Sequence, residues 1–359
     1  LLSFVDGKLF KAFQELDPEE YEGLAKDRAL LLRGVFEDAY NYMKSGTLLR
    51  QVVDKVNDAI DLNKSATRDV FGDIYEKILK DLQSAGNAGE FYTPRAVTQF
   101  AVEMTNPQLG ETVLDPACGT GGFLTCEFEH LRQQAKTPKQ LKMAKGSVRG
   151  VEKKQLPHLL CATNMMAHGI VGPTTVQHDN TLRRPLRDYG PKDWVDVITT
   201  NPPFGGMEED GIEGGFPSEF RTRETADLFL VLVMELLKPK GRAAIVLPDG
   251  TLFGEGIKTR IKEKLLKECN LHTIVRLPNG VFNPYTSIRT NELFFDKGEP
   301  TESVWYYENP YPQGYKSYSK TKPMKIKEFA PEKKWWNKRE ESEQAWRVPV
   351  EEIVANGNN

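Results

Sequence analysis

The sequence predicts an α/β fold: a largely parallel sheet covered on both faces, with an antiparallel edge and a helical domain in front of it. Three observations carry that expectation. Short apolar runs alternate with helical patterns from Thr112 onward, the order produced by parallel strands and crossover helices. Leu228 to Leu237 is nearly all apolar and too long for a typical strand, so it reads as a buried helix feeding a strand at Ala243 to Leu247. Near the end, strands at Thr273 to Leu277 and Asn291 to Phe295 are joined by turn residues through Asn283-Pro284, a hairpin-like connection that suits antiparallel pairing.

The helical part runs from Leu9 to about Gln83. Leu30, Leu31, Gly34, Val35 and Asp38 begin one weak stripe, and Val70, Ile74, Ile78 and Leu82 form a clearer one. Small and turn-forming residues at Ser84-Ala85-Gly86-Asn87-Ala88-Gly89 end it, which sets the domains as 1–86, 87–310 and 311–359. In the second domain the order is strand Thr112 to Leu114, helix from Thr120, strand Ser147 to Val151, helix Gln155 to His168, then strands Thr174 to Gln177 and Val195 to Thr200. Gly205 to Thr225 is glycine-rich, acidic and poorly periodic, and reads as a mobile loop over the site or a solvated insert. After Glu308 the chain turns aromatic and basic, from Tyr311 to Trp335-Trp336. That segment is expected to be an interaction face or an ordinary solvated face.

At 359 residues, 39% hydrophobic and 28% charged, the chain has the balance of a globular protein with one large and one smaller unit. No apolar run approaches the roughly 20 residues that cross a bilayer. Leu1-Leu2-Ser3-Phe4 shows no initiating Met, basic region or cleavage site, so no signal peptide is expected and the chain is read as beginning inside a longer one. Cys118, Cys126, Cys161 and Cys269 form neither a C-x-x-C pair nor a dense even spacing, which argues against zinc and against a disulfide framework and favours a reducing cytoplasm. The net charge of −3 lacks the strongly basic signature of a protein that grips nucleic acid unaided.

Asp115-Pro116-Ala117-Cys118-Gly119-Thr120-Gly121-Gly122-Phe123 lies between a strand and a helix, a glycine turn at the ligand edge of a parallel sheet. Glycines let the backbone approach a bound molecule and adopt positive φ. No Gly-Lys-Ser/Thr follows, and the spacing differs from G-x-G-x-x-G, so phosphate binding is not required. Glu152 ends the next strand, where a carboxylate can accept from both hydroxyls of a ribose; a solvated glutamate is the competing reading. Asp179, at the tip of the third strand, suits either an adenine amino group or a turn cap.

Asn201-Pro202-Pro203-Phe204 follows the strand Val195 to Thr200. An exocyclic amino nitrogen is a poor nucleophile because its lone pair is delocalised into the ring. Accepting both its hydrogens on oxygens, here the Asn201 amide and the Pro202 carbonyl, shifts it toward a tetrahedral geometry. Consecutive prolines fix φ and remove competing donors, so the acceptors are preorganised. Phe204 offers a face for an extruded base. Upstream, Thr93 suits a helix N-cap and Pro94 the first helical position. That helix N-terminus has spare N–H groups for a carboxylate.

Phe91-Tyr92-Thr93-Pro94, Asp115 to Phe123, Glu152 and Asn201 to Phe204, in that order, closely resemble the modification subunit of type I restriction systems, a family of N6-adenine DNA methyltransferases. The resemblance extends from the helical lobe to about Ile353 and takes in Leu277-Pro278-Asn279-Gly280-Val281-Phe282 and Thr290-Asn291-Glu292-Leu293-Phe294-Phe295. It implies a seven-stranded, Rossmann-like, S-adenosylmethionine-dependent methyltransferase sheet. Cofactor contacts are implied at Glu90, Phe91, Tyr92, Thr93, Pro94 and Arg95, at Asp115, Gly119, Thr120, Gly121 and Gly122, and at Glu152. Target-amino contacts are implied at Asn201 and Pro202. The implied partners are double-stranded DNA, a DNA-specificity subunit, a second modification subunit and, in the full complex, a restriction subunit, and sharing the DNA with these fits a mildly acidic chain. Family members usually continue past Trp346-Arg347-Val348 into further helices; stopping at Asn359 reads as a truncated or abbreviated form.

Two other readings remain. Glutamine-modifying and ribosomal amino-group methyltransferases also use Asn-Pro-Pro-aromatic loops, although the helical lobe and the Phe-Tyr-Thr-Pro segment favour DNA. A noncatalytic assembly subunit would keep the fold without turnover, against which stand the intact Asn201 and Glu152. A cytosine-carbon enzyme would need a cysteine after proline in the equivalent loop, and none is there; Cys118 reads as a packing residue.

Overall fold

The computed structural model describes residues 1–37, 39–59, 93–170, 172, 175–283, 286–319 and 321–358. Glu90, Phe91 and Tyr92, the stripe Val70 to Leu82 and the boundary at 86–87 lie outside the described residues.

Helix α1 (Gly23–Phe36) of the helical part turns Leu31 and Val35 inward; helix α2 (Gly46–Ala59) follows. Helix α3 (Arg95–Thr105) buries Val97, Phe100 and Ala101, with Met104 of the same apolar stripe only partly buried. Its N-cap is Pro94 rather than Thr93, one position later than expected, and no side chain caps it. Strand β1 (Val113–Asp115) then leads through the glycine turn into α4 (Gly122–Gln134). A second helix, α5 (Pro138–Ser147), is capped by Thr137, whose hydroxyl accepts from the Gln140 amide; it fills the long interval before strand β2 (Val148–Glu152).

Helix α6 (Gln155–Ala167), strand β3 (Val176–His178) and strand β4 (Val195–Thr200) follow. Leu159, Ala162 and Met166 of α6 receive Leu31 and Val35 of α1, which docks the helical part on the sheet layer. The apolar run is helix α7 (Thr225–Leu236), buried along nearly its whole length, and it passes directly into strand β5 (Leu237–Pro248). After α8 (Ile257–Glu268) come β6 (Cys269–Arg276) and β7 (Thr290–Lys297), then β8 (Ser303–Glu308), helix α9 (Ala330–Trp336) and β9 (Ala345–Pro349).

These strands form one sheet in the order β3-β2-β1-β4-β5-β7-β6-β8-β9. Strands β1 to β5 pair in parallel, for example Val113 with both Val148 and Val197, while β7 runs antiparallel between β5 and β6. The expected antiparallel pairing of β6 with β7 is present, but neither strand is the edge, because β8 and β9 lie beyond β6. The expected count of seven is too low: β8 and β9 bring the described sheet to nine. Their sequences hide this because their aromatic side chains pack on one another across the pair instead of alternating cleanly. Tyr306 stacks on its partner Trp346 at 5.8 Å, with the rings 7° from parallel.

Alternate residues of the central strands supply two cores. Ala243, Ile245, Leu247, Leu293 and Phe295 face α7 and α8, whereas Ala244, Val246, Val275 and Phe294 face α3 and the C-terminal segment. One side of that segment is packed against the sheet layer, so it is not an ordinary solvated face throughout. Tyr318, Met324 and Phe329 are buried, and Phe329 stacks on Phe100 of α3 with ring centroids 4.3 Å apart. Lys316, Lys322, Lys325 and Lys327 remain on its exposed side. Among the described residues no helix is long and apolar enough to cross a membrane.

Candidate functional site

The C-terminal ends of β1, β2, β3 and β4 lie side by side, so the four segments singled out in the sequence converge there. They enclose a cavity of about 340 Å³, within the size range of small-molecule sites. Its lining includes Thr93, Asp115, Gly119, Thr120, Gly122, Glu152, Asp179, Asn201 and Phe204. Pro94, Arg95, Gly121 and Pro202 do not line it.

Two glycines of the turn need their missing side chain. Gly119 and Gly121 have φ of 54° and 84°, and a Cβ on Gly121 would lie 2.7 Å from the Cys161 sulfur. Arg95 donates to the Gly122 carbonyl at 3.2 Å and to the Thr125 hydroxyl at 2.5 Å, so it ties α3 to the first turn of α4. Cys118 is buried, with its sulfur 3.8 Å from that of Cys161, as its reading as a packing residue requires.

Glu152 is not a solvated glutamate. It is buried, accepting from the Gly119 amide at 2.9 Å on one oxygen and from the Lys154 amide at 2.7 Å on the other. Burial pushes its carboxyl above the usual range, and the two backbone donors oppose that shift. Asp115 accepts from the Thr200 hydroxyl at 2.7 Å and the Ala117 amide at 3.1 Å. Desolvation nevertheless carries it up to about 7. A third buried acid, Glu127 of α4, accepts from the Thr199 hydroxyl and is likewise raised by burial. Asp179 faces the cavity with its amide on the Glu152 carbonyl, and the turn cap beside it is Asn180, whose side chain accepts from Leu182.

Asn201 supplies the most telling atom. Its Nδ2 donates to the Thr93 hydroxyl at 2.9 Å, whereas Oδ1 is buried without a hydrogen-bond partner among the described residues. A buried carbonyl oxygen left unpaired costs free energy unless something arrives to donate to it. Phe204 is braced by Phe282, with centroids 5.5 Å apart and planes at 80°.

Several lining residues carried no signal in the sequence. Asn180 and Lys153 both hold Glu208, at 3.1 Å and 2.9 Å, and Lys153 also pairs with Glu209 at 3.0 Å. These bonds anchor the start of the Gly205–Thr225 segment, and Phe216 and Phe220 bury its later part. The segment does lie over the site as expected, tied by these bonds to residues just past β2 and β3 and contributing Gly205, Gly206, Met207 and Glu208 to the cavity. Its glycines and acids hid the anchors because ion pairs between distant segments leave no periodic trace. Phe282 was legible only as part of the 277–282 stretch of the resemblance, with no role attached to it.

The family described as N-6 DNA Methylase matches residues 66–359. The chain is 59% identical over 367 residues to the type I restriction enzyme EcoEI methylase subunit of Escherichia coli, covering 100% of this chain and 74% of that one. It is 31% identical to the StySPI methylase subunit of Salmonella potsdam, over 79% of this chain and 57% of the relative. Among solved structures, a modification subunit assigned to a type I restriction enzyme of Vibrio vulnificus YJ016 superposes with a TM-score of 0.86 at 48% identity, covering 96% of this chain and 72% of that one. The chain belongs to the N-6 DNA methylase family, and within it stands with the methylase subunits of type I restriction enzymes.

Proposed function

We propose that the chain transfers a methyl group from S-adenosyl-L-methionine to the N6 amino group of an adenine extruded from double-stranded DNA. The buried, unpartnered Oδ1 of Asn201 carries the reading: it is an acceptor fixed at the ligand edge, beside the glycine turn. An amino group brings the donor that this oxygen lacks.

The cavity fits the cofactor chemically. Glu152 sits at the β2 tip as a ribose acceptor, Asp179 lies where an adenine amino group is received, and Gly119 to Gly122 allow close backbone approach. The main chain around Glu90 to Arg95 is assigned the carboxylate end, although the Arg95 and Thr93 side chains already have protein partners. When bound, the cofactor supplies an electrophilic methyl on a sulfonium.

The chain's own residues do the rest. Asn201 Oδ1 and the Pro202 carbonyl accept the two amino hydrogens, drawing the nitrogen lone pair out of ring conjugation. Phe204, held upright by Phe282, stacks on the base and pins its plane. Glu152 keeps the Gly119 turn in register through the hydrogen bond between them.

Likeness to methylase subunits supports, as part of the same proposal, an assembly with double-stranded DNA, a DNA-specificity subunit, a second modification subunit and a restriction subunit, and a cytoplasmic location is proposed with it. A protein- or RNA-directed amino-group methyltransferase would use the same loop. Labelled methyl transfer to unmethylated DNA, protein and RNA, with and without a specificity subunit, separates the cases. Label in N6-methyladenine of DNA is expected, and label in protein alone would overturn the substrate assignment.

A further inference from the structure

The Asn201 amide can be seated two ways round, and only one serves an incoming amine. In the structure Nδ2 points to Thr93 and Oδ1 to the buried position without a partner. Rotating the amide by half a turn would leave an NH2 group buried with unpaired hydrogens, a worse loss than an under-used carbonyl. It would also meet the donors of an amino group with more donors. The Thr93 hydroxyl could accept from Nδ2 or donate to Oδ1, so the unpaired hydrogens decide the orientation and the bond to Thr93 anchors the amide in it.

We infer that Thr93 is the positioning residue of the amine acceptor: its hydroxyl accepts from Asn201 Nδ2 and thereby keeps Oδ1 toward the target amino group. This rests on the role given to Asn201 above and deepens it. It also reassigns Thr93, which the sequence placed at a helix cap and a cofactor contact.

Thr93 is well placed for the task because its own backbone is constrained from both sides. Pro94 follows it and opens α3 with its carbonyl accepting from the Val97 and Thr98 amides. The Thr93 carbonyl lies 4.0 Å from where a Cβ on Gly122 would stand, so the glycine turn packs directly against it. The methyl of Thr98 covers the same glycine at 3.6 Å. The start of α3, the glycine turn and the Asn201 loop therefore meet at one residue, the first two through its main chain and the third through its hydroxyl. A small β-branched hydroxyl residue fits there because its χ1 is restricted and its oxygen is held in one direction.

The test compares full-length wild type, Thr93→Val and Thr93→Ser, each with a DNA-specificity subunit. Thr93→Val keeps the shape and removes the acceptor; Thr93→Ser keeps the acceptor. Thr93→Val should lower kcat by about 10- to 100-fold, while the KM for DNA and the calorimetric Kd for S-adenosyl-L-methionine stay within about threefold. Thr93→Ser should restore kcat to within about threefold of wild type. A Thr93→Val enzyme with unchanged kcat would overturn the inference. So would cofactor binding weakened by about tenfold or more with kcat retained at saturation, which would make Thr93 a cofactor ligand. A serine variant as impaired as the valine one would overturn it too.

Crystals of wild type and Thr93→Val supply a readout independent of turnover: the Asn201 amide should leave its seat in the valine variant alone. An amide that keeps its place there counts against Thr93. Wild type that leaves DNA adenine unlabelled counts instead against the proposed function.

Discussion

The hydroxyl of Thr93 accepts a 2.9 Å hydrogen bond from the amide nitrogen of Asn201, joining residues 108 positions apart and leaving the amide oxygen of Asn201 buried and free to accept. Asn201→Ala removes that oxygen without touching the glycine turn. Methyl transfer should fall by about 10²- to 10³-fold, as for other preorganised polar groups. Calorimetric affinity for S-adenosyl-L-methionine should stay within about threefold. Equal rates for wild type and variant would remove Asn201 from the mechanism.

Glu152 holds backbone amides with both carboxylate oxygens, from Gly119 at 2.9 Å and Lys154 at 2.7 Å. In Glu152→Gln one of those donors would face an NH2 group, leaving a buried amide unsatisfied at a cost of about 1–3 kcal/mol. Chemical denaturation should show that loss, and cofactor affinity should fall with it. A variant with wild-type stability and affinity would show that the two bonds are replaceable by water.

Asp115 makes stability depend on pH. Its carboxyl rises from 3.8 to about 7 on folding, so between those values the folded state binds more protons than the unfolded one. Stability is then fully present below the lower value and is lost as pH rises through the upper one. The ceiling on that loss is roughly 4 kcal/mol. Asp115→Asn removes this titration, and its denaturation free energy should decline less than that of wild type between pH 5 and pH 8, on the order of 1–4 kcal/mol less. Parallel pH profiles would place Asp115 among ordinary carboxylates.

Gly121 combines a φ of 84° with a Cβ position 2.7 Å from the Cys161 sulfur. Gly121→Ala should destabilise the protein by about 1–3 kcal/mol through both effects. Adding Cys161→Ala opens the space but leaves the backbone strained, so a thermodynamic cycle should return part of the loss and no more. Complete rescue would mean that the backbone carries no strain there.

The site was legible where chemistry is local and hidden where it is not. Asp115 to Phe123 and Asn201 to Phe204 announce themselves because glycine and proline fix the backbone within a few residues, and the strand before each places it at the ligand edge. Glu152 was found from its strand tip, despite the inserted helix α5 that lengthens its distance from the turn. What escaped were relations across the fold. The Thr93 hydroxyl was read as a cap because Thr-Pro before a helix usually is one, yet its partner lies on another strand's loop. The anchoring of Glu208 by Lys153 and Asn180 and the bracing of Phe204 by Phe282 likewise join segments far apart in sequence. The ninth strand was masked by Trp346 and Arg347 between glutamate-rich flanks, in a stretch that reads as surface.

The brace behind Phe204 has a consequence for how the protein comes into being. Phe282 is kept in place by a turn whose Gly280 and Asn283 rest against the Tyr318 main chain, with the Asn283 amide donating to the Tyr318 carbonyl at 3.0 Å. Synthesis proceeds from the N-terminus, and domains begin to assemble before the chain is complete. A nascent chain released only as far as β5 already owns the glycine turn, Glu152 and Asn201, but its aromatic wall has nothing behind it until residues near 318 emerge. The brace on Phe204 therefore comes from parts of the chain synthesised after the glycine turn, Glu152 and Asn201, so the two halves of the site differ in the order in which their residues are made.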